Sequence, residues 1–210
     1  MSEEKAGVGM RSVVRAVGVA VGVVLTSPLA LIARLDMLLG RDEWFKSFAQ
    51  LLSLVPGRSG GYLRVGFYCM TLKRCSSSWT IQIYSKFTHP EASVEDGVYI
   101  GMHSTLGRAE LGRNVLIADY VQVLSGKHQH GRPGSWTGKH DGGQLTSVSI
   151  GANTWVGGGA IVMSSIGEGC IVGAGSVVTS PVPSGVVVAG NPARVLREAQ
   201  TSATVAGTDG

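Results

Sequence analysis

The chain has 210 residues, 31 of them glycine, with only 15% charged residues and a formal charge of +4. No arginine-rich run and no interleaving of basic with aromatic residues is present, which sets nucleic-acid binding aside. Three cysteines (Cys69, Cys75 and Cys170), an odd number without CxxC spacing, argue against a disulfide framework or a zinc site and for reduced thiols in a cytosolic compartment.

Mean hydropathy is positive at +0.22, more apolar than an ordinary soluble enzyme, and the source lies near the N-terminus. Residues 16–33, AVGVAVGVVLTSPLALIA, carry no charge and reach the length of a membrane segment. Arg11 and Arg15 precede the run; Arg34, Arg41 and Lys46 follow it. Positive charge on both flanks and Pro28 inside the run predict a re-entrant helical hairpin over residues 1–40. A single span, a buried helix and a signal peptide are the alternatives, though no A-x-A cleavage site follows. Gly18 and Gly22 form a GxxxG, a spacing that lets two helices approach closely, but in a glycine-rich chain it reads first as a chance match.

Residues 41–80 follow as predicted amphipathic helices at the membrane interface. In 43–57, Trp44, Phe45, Phe48, Leu51, Leu52 and Val55 recur near helical spacing, with Pro56-Gly57 as the stop. The other reading is a helix packed on the end of the next domain. Residues 62–75 suggest a second such helix.

Beyond this a period of six sets in. Val94, Ile100 and Leu106 are six apart, as are Leu111, Ile117 and Val123 after a slip. A break follows over about 128–147. Ile150, Val156 and Val162 resume the pattern, and Ile166, Val172 and Val178 complete it. Glycine often follows the aliphatic residue. Such hexads make three-sided coils whose aliphatic residues point inward, and coils must stack because none buries its own face.

The stretch 150–198, with its terminal GNPARVLR, resembles the hexapeptide-repeat acyltransferases, such as the galactoside and maltose acetyltransferases. The resemblance covers roughly residues 94–198. It implies an all-β fold, a left-handed parallel β-helix over residues 81–192, acetyl-CoA as co-substrate and a homotrimer with sites between subunits. The N-terminal segment is more like the membrane-associated branch found in polysaccharide and glycolipid biosynthesis. That implies a cytoplasmic-face, membrane-bound O-acetyltransferase acting on a saccharide hydroxyl, with a lipid-linked glycan or glycolipid among the candidate acceptors.

Acyl transfer to a hydroxyl needs a base near neutral pKa, which histidine supplies. VQVLSGKH, residues 121–128, resembles the stretch that ends in the family's catalytic histidine, so His128 is the expected base. Glu110, read as the end of the preceding coil, matches an acidic residue that contacts the acceptor; it binds hydroxyls or orients the imidazole. His130, Trp136 and Asp141 in or beside the inserted loop are candidate acceptor contacts. So is His103, where the family has an asparagine nearby. Trp155 matches the tryptophan beside the pantetheine arm, and Gly158 and Ala174 match positions where backbone approaches that arm. Thr179, Arg194 and Arg197 match contacts to the adenosine phosphates. Ser180 stands where the family often has lysine. Residues 193–210 are expected to hold the last of these contacts and a disordered tail. No metal is expected. A γ-carbonic-anhydrase-like hydratase, a non-catalytic scaffold, and another acceptor or acyl donor remain the alternatives.

Overall fold

The computed structural model describes residues 2–125 and 146–199, with side chains from residue 12 onward. The chain opens with one continuous helix, α1 (Ser2–Leu38), which runs straight through Pro28. The expected hairpin is therefore corrected: no break occurs. Proline removes the N–H that would reach the Val24 carbonyl, but the Ser27 hydroxyl donates to that carbonyl instead, at 2.8 Å. The ladder loses a bond and regains an acceptor's partner, so the helix continues.

One face of α1 docks on α3 (Gly57–Thr71). Gly18 and Gly22 sit against Tyr62, and a Cβ on Gly66 would strike the Gly22 backbone. The GxxxG thus serves an intramolecular crossing, and the reading of it as a chance match is corrected. The opposite face keeps Val17, Val21, Val24, Leu25, Leu31 and Leu35 exposed. The 27 residues Ser12–Leu38 are long and apolar enough to cross a membrane, and 28% of their most apolar window is buried in the protein.

α2 (Glu43–Ser53) and α3 depart from the expected interfacial helices. Phe45, Phe48 and Leu52 of α2, with Val65, Phe67 and Tyr68 of α3, are buried in protein rather than left for lipid. The reason is the open end of the next domain. Phe45, Phe67 and Tyr68 form one aromatic cluster with Trp79 and Phe87 of the first coil. They plug a base that stacking alone would leave wet.

Arg64 fixes the plug. Its buried guanidinium donates to the carbonyls of Leu52 and Val55 at 3.0 and 2.7 Å, and to Ile81 at 3.2 Å. The first two close the C-terminal end of α2, where the dipole favours a cation; Leu52 O also accepts from the Val55 N–H at 3.3 Å. Burial pulls the Arg64 pKa below the usual guanidinium range.

The rest is a left-handed parallel β-helix. Strands of mostly two or three residues stack into three faces. The first holds Arg74–Cys75, Ser93–Val94, Ala109–Leu111 and Val148–Ile150. The second climbs from Thr80–Ile81 through Tyr99–Ile100, Leu116–Ile117, Trp155–Val156 and Ile171–Val172 to Val186–Gly190. The third holds Lys86–Phe87, Thr105–Leu106, Gln122–Val123, Ile161–Val162 and Val177–Val178.

Every hexad aliphatic named from the sequence is buried, and register pairs each with its counterpart one coil away, as in Ile100 with Ile117 and Ile117 with Val156. The coils begin earlier than the aliphatic count showed, because Cys75, Ile81 and Phe87 hold the inward positions of the first. At the far end Ala193–Glu198 turns back antiparallel on Val186–Gly190. All three cysteines are free thiols, Cys69 and Cys75 with their Sγ atoms 3.5 Å apart.

Replacing Arg64 by methionine takes the guanidinium donors from the carbonyls of Val55 and Ile81. A loss of about 3–5 kcal/mol is expected in chemical denaturation. A loss below about 1 kcal/mol would show that the guanidinium does not hold the plug.

Candidate functional site

His128, His130, Trp136 and Asp141 lie in 126–145, outside the described residues, but both feet of that segment are described. Gly107 N–H donates to Val123 O at 2.8 Å and a Cβ on Gly107 would meet Ser125, so the chain leaves directly above Gly107. It returns at Val148, whose N–H donates to Arg108 O at 2.9 Å. Both feet therefore stand on Gly107-Arg108, at the corner between the third and first faces.

Glu110 lies beside that corner. It is half-buried on the outside of the first face, in register with Ser93 below and Ser149 above. The sequence placement is corrected in one respect. Glu110 opens the coil that carries residues 121–125; it does not end the coil below. The short step from Leu106 to Leu111 brings Ala109–Leu111 into the first-face strand.

His103 is elsewhere. It lies at the corner between the second and third faces, three residues after the inward Ile100. At the same place in neighbouring coils stand Tyr84 and Tyr120, and the rings stack, with centroids 4.6 and 4.9 Å from His103. All three have positive φ, at 63°, 57° and 61°. Left-handed backbone is unfavourable for such side chains, and the stacking offsets it. Stacked on both faces, His103 offers only its ring edge. With Tyr84, Lys86, Gln50 and Thr105 it lines a cleft of about 710 Å³ against α2.

The residues matched to coenzyme contacts converge. Above Tyr120 the same corner position is taken by Gly159 and Gly175, both left-handed, so the aromatic stack gives way to a bare edge. Gly158 packs over Asp119, and Ala174 packs over Gly157. One coil higher Gly190 takes that register position, and Ala189 beside it packs over Gly173, paired in register with Arg194. Trp155 flanks the row from the second face, 50% exposed. Its column runs through Ile171 and Val187 to Arg197. Three strand spacings separate Trp155 from Arg197, about 14 Å. Arg194 and Arg197 are exposed, and among the described residues their acceptors are backbone carbonyls of their own strand. Thr179 stands apart from the row, just past the third-face strand Val177–Val178. The edge can seat an extended chain against backbone, with an aromatic wall at one end and guanidinium groups at the other.

Solved structures carry the same architecture. A maltose O-acetyltransferase from Clostridium difficile 630 aligns over 74% of this chain and 87% of its own, at 20% identity and a TM-score of 0.54. A galactoside acetyltransferase in complex with coenzyme A aligns over 74% and 79%, at 21% identity and 0.51. A point mutant of AntD, an N-acyltransferase from Bacillus cereus in complex with dTDP-4-amino-4,6-dideoxyglucose and coenzyme A, covers 63% and 87%, at 14% and 0.50. The fold is theirs. No protein-family model and no curated protein matches the sequence. Among the described residues no group of three or more His, Cys, Asp or Glu side chains is placed to hold a metal ion.

Sequence reasoning missed the Tyr84–His103–Tyr120 stack, although counting three residues past each second-face aliphatic would have found it. His89, which carries no match to a functional position, is half-buried one coil below Arg108. Burial pulls the His89 pKa below the usual histidine range, opposed by Glu91 and Asp42 and assisted by Arg108 and Lys46. The unfolded chain takes this proton more readily. His89 therefore contributes stability above about pH 6.5 that is lost as pH falls from there through the lowered folded value. In an NMR titration the His89 ring is expected to protonate below about pH 6.5; protonation above it would contradict the burial argument.

Proposed function

We propose that this chain is an acetyl-CoA-dependent O-acetyltransferase that modifies a saccharide hydroxyl, with a membrane-borne glycan as acceptor. The observation that carries the reading is the bare edge of Gly158, Ala174 and Gly190, walled by Trp155 and ended by Arg194 and Arg197. Small residues let a pantetheine arm lie against backbone, and paired guanidinium donors suit the phosphates. The maltose and galactoside enzymes of the same fold support a sugar acceptor, and the coenzyme A complex of the latter supports the donor.

Acetyl-CoA supplies the acyl group already activated as a thioester. His128 takes the proton from the acceptor hydroxyl as its oxygen attacks the acyl carbonyl, and the proton finally accompanies the departing thiolate. Glu110, beside the foot at Val148–Ile150, binds acceptor hydroxyls or orients the imidazole. His130, Trp136 and Asp141 complete the acceptor side.

α1 supports attachment to a membrane, which we place at the cytoplasmic face, where acetyl-CoA is made. The exposed column Tyr99, Leu116 and Trp155 on the second face supports packing between copies, and we infer a homotrimer. Leu116→Glu is expected to shift the sedimenting species towards monomer; an unchanged mass would place the contact elsewhere.

The decisive assay follows thiol release from acetyl-CoA with a panel of soluble and lipid-linked glycans. His128→Ala is expected to lower acceptor-dependent release by about 10²–10⁴-fold. Full activity in that variant would remove His128 from the mechanism. Gly158→Leu tests the donor edge, because a Cβ there meets only Asp119 O at 3.4 Å and the Ala118 side chain at 4.0 Å. Its unfolding temperature should stay near wild type while coenzyme A binding is lost; retained binding would contradict the edge assignment.

A further inference from the structure

A second cleft, of about 530 Å³, opens where the end of α1, the start of α2, the α3–coil junction and the third-to-first corner meet. Arg34, Arg41, Lys73 and Arg108 line it, with Asp42 and Glu91 as the carboxylates. Both carboxylates are engaged. Asp42 holds Lys46 at 2.7 Å, and Glu91 holds Arg108 at 3.0 Å. Among the described residues, Arg34, Arg41 and Lys73 lie within salt-bridge distance of no carboxylate. Arg34 is oriented through its Nε, which donates to Met70 O at 2.6 Å. The cleft therefore holds cationic charge in excess, part of it on fixed guanidinium groups.

Its position gives that charge a use. Arg34 and Arg41 bracket the end of the apolar run of α1, the level at which such a helix leaves hydrocarbon for the headgroup layer. On its other side the cleft is walled by Arg108, whose carbonyl holds the returning foot of 126–145. The cleft thus lies between the apolar helix and the segment that carries His128.

Building on the acyl-transfer reading, we propose that this cleft binds the phosphate group of the membrane-borne acceptor. A phosphate held by Arg34, Arg41 and Lys73 anchors the acceptor at the headgroup level, and the sugar beyond it extends towards the loop. Guanidinium groups match phosphate oxygens with paired donors, and the ammonium adds a point charge.

The test uses the full chain and phosphatidylcholine vesicles with and without phosphatidic acid, read by co-sedimentation. Wild type is expected to prefer the phosphate-bearing vesicles. Arg41→Gln with Lys73→Gln should weaken that preference by about fivefold per cation removed, about 25-fold together. A control pair outside the cleft, Arg58→Gln with Lys86→Gln, should weaken it far less. All these side chains are at least partly exposed, and thermal unfolding verifies that both variants fold. Equal losses in the two variants would mean undirected surface charge and overturn the proposal. So would binding of inorganic phosphate without any vesicle preference, which would assign the cleft to a free anion. Coenzyme A binding is measured on the same wild-type preparation. Coenzyme binding without vesicle preference overturns the cleft alone. Vesicle preference lost only in the cleft variant, without coenzyme binding, supports the phosphate site and removes the transferase reading.

Discussion

A three-sided coil of six-residue faces cannot bury the aliphatic side chains it points inward, and nearly everything else in this molecule answers that constraint. Stacking covers each face with the next, but it leaves two open ends. At the base, Phe45, Phe67 and Tyr68 close over Trp79 and Phe87, and Arg64 binds the helices that carry them to the first coil. At the top, Ala193–Glu198 folds back on the last strand. The amphipathic character of α2 is thus spent on the protein, while α1 keeps an apolar face that nothing in the described chain covers.

The same stacking builds the candidate site. Residues far apart in sequence become neighbours because they occupy one position in successive coils. Gly158, Ala174 and Gly190 form one edge in this way, with Ala189 beside them, and Trp155 and Arg197 share one column. The corner that is aromatic in the lower coils is bare in the upper ones, so one structural position serves two purposes along the axis. A loop inserted at another corner is tolerated because its feet keep their bonds to the coil below.

Much of this was legible in the sequence, for identifiable reasons. The hexads were visible because the inward residues of most coils are aliphatic and evenly spaced. The first coil escaped because Cys75 and Phe87 do not look like members of an aliphatic repeat. The continuity of α1 was hidden because Pro28 ordinarily breaks a helix, and the Ser27 hydroxyl that repairs the damage gives no periodic signal. Gly18 and Gly22 looked accidental until Gly66 supplied the other half of the crossing. The donor edge was readable residue by residue through resemblance, but Glu110 was assigned to the wrong coil because the step between third and first faces is not six. The basic cleft was unreadable, since its residues come from α1, the α1–α2 turn, the end of α3 and the second coil.

The central claim is that the upper second-to-third corner receives the acyl donor. Hydrogen exchange with and without coenzyme A tests it most directly. Protection is expected to concentrate in 155–159, 173–175 and 189–197. Saturating coenzyme A that protects the cleft lined by Tyr84 and His103 instead, or that protects nothing, would contradict it.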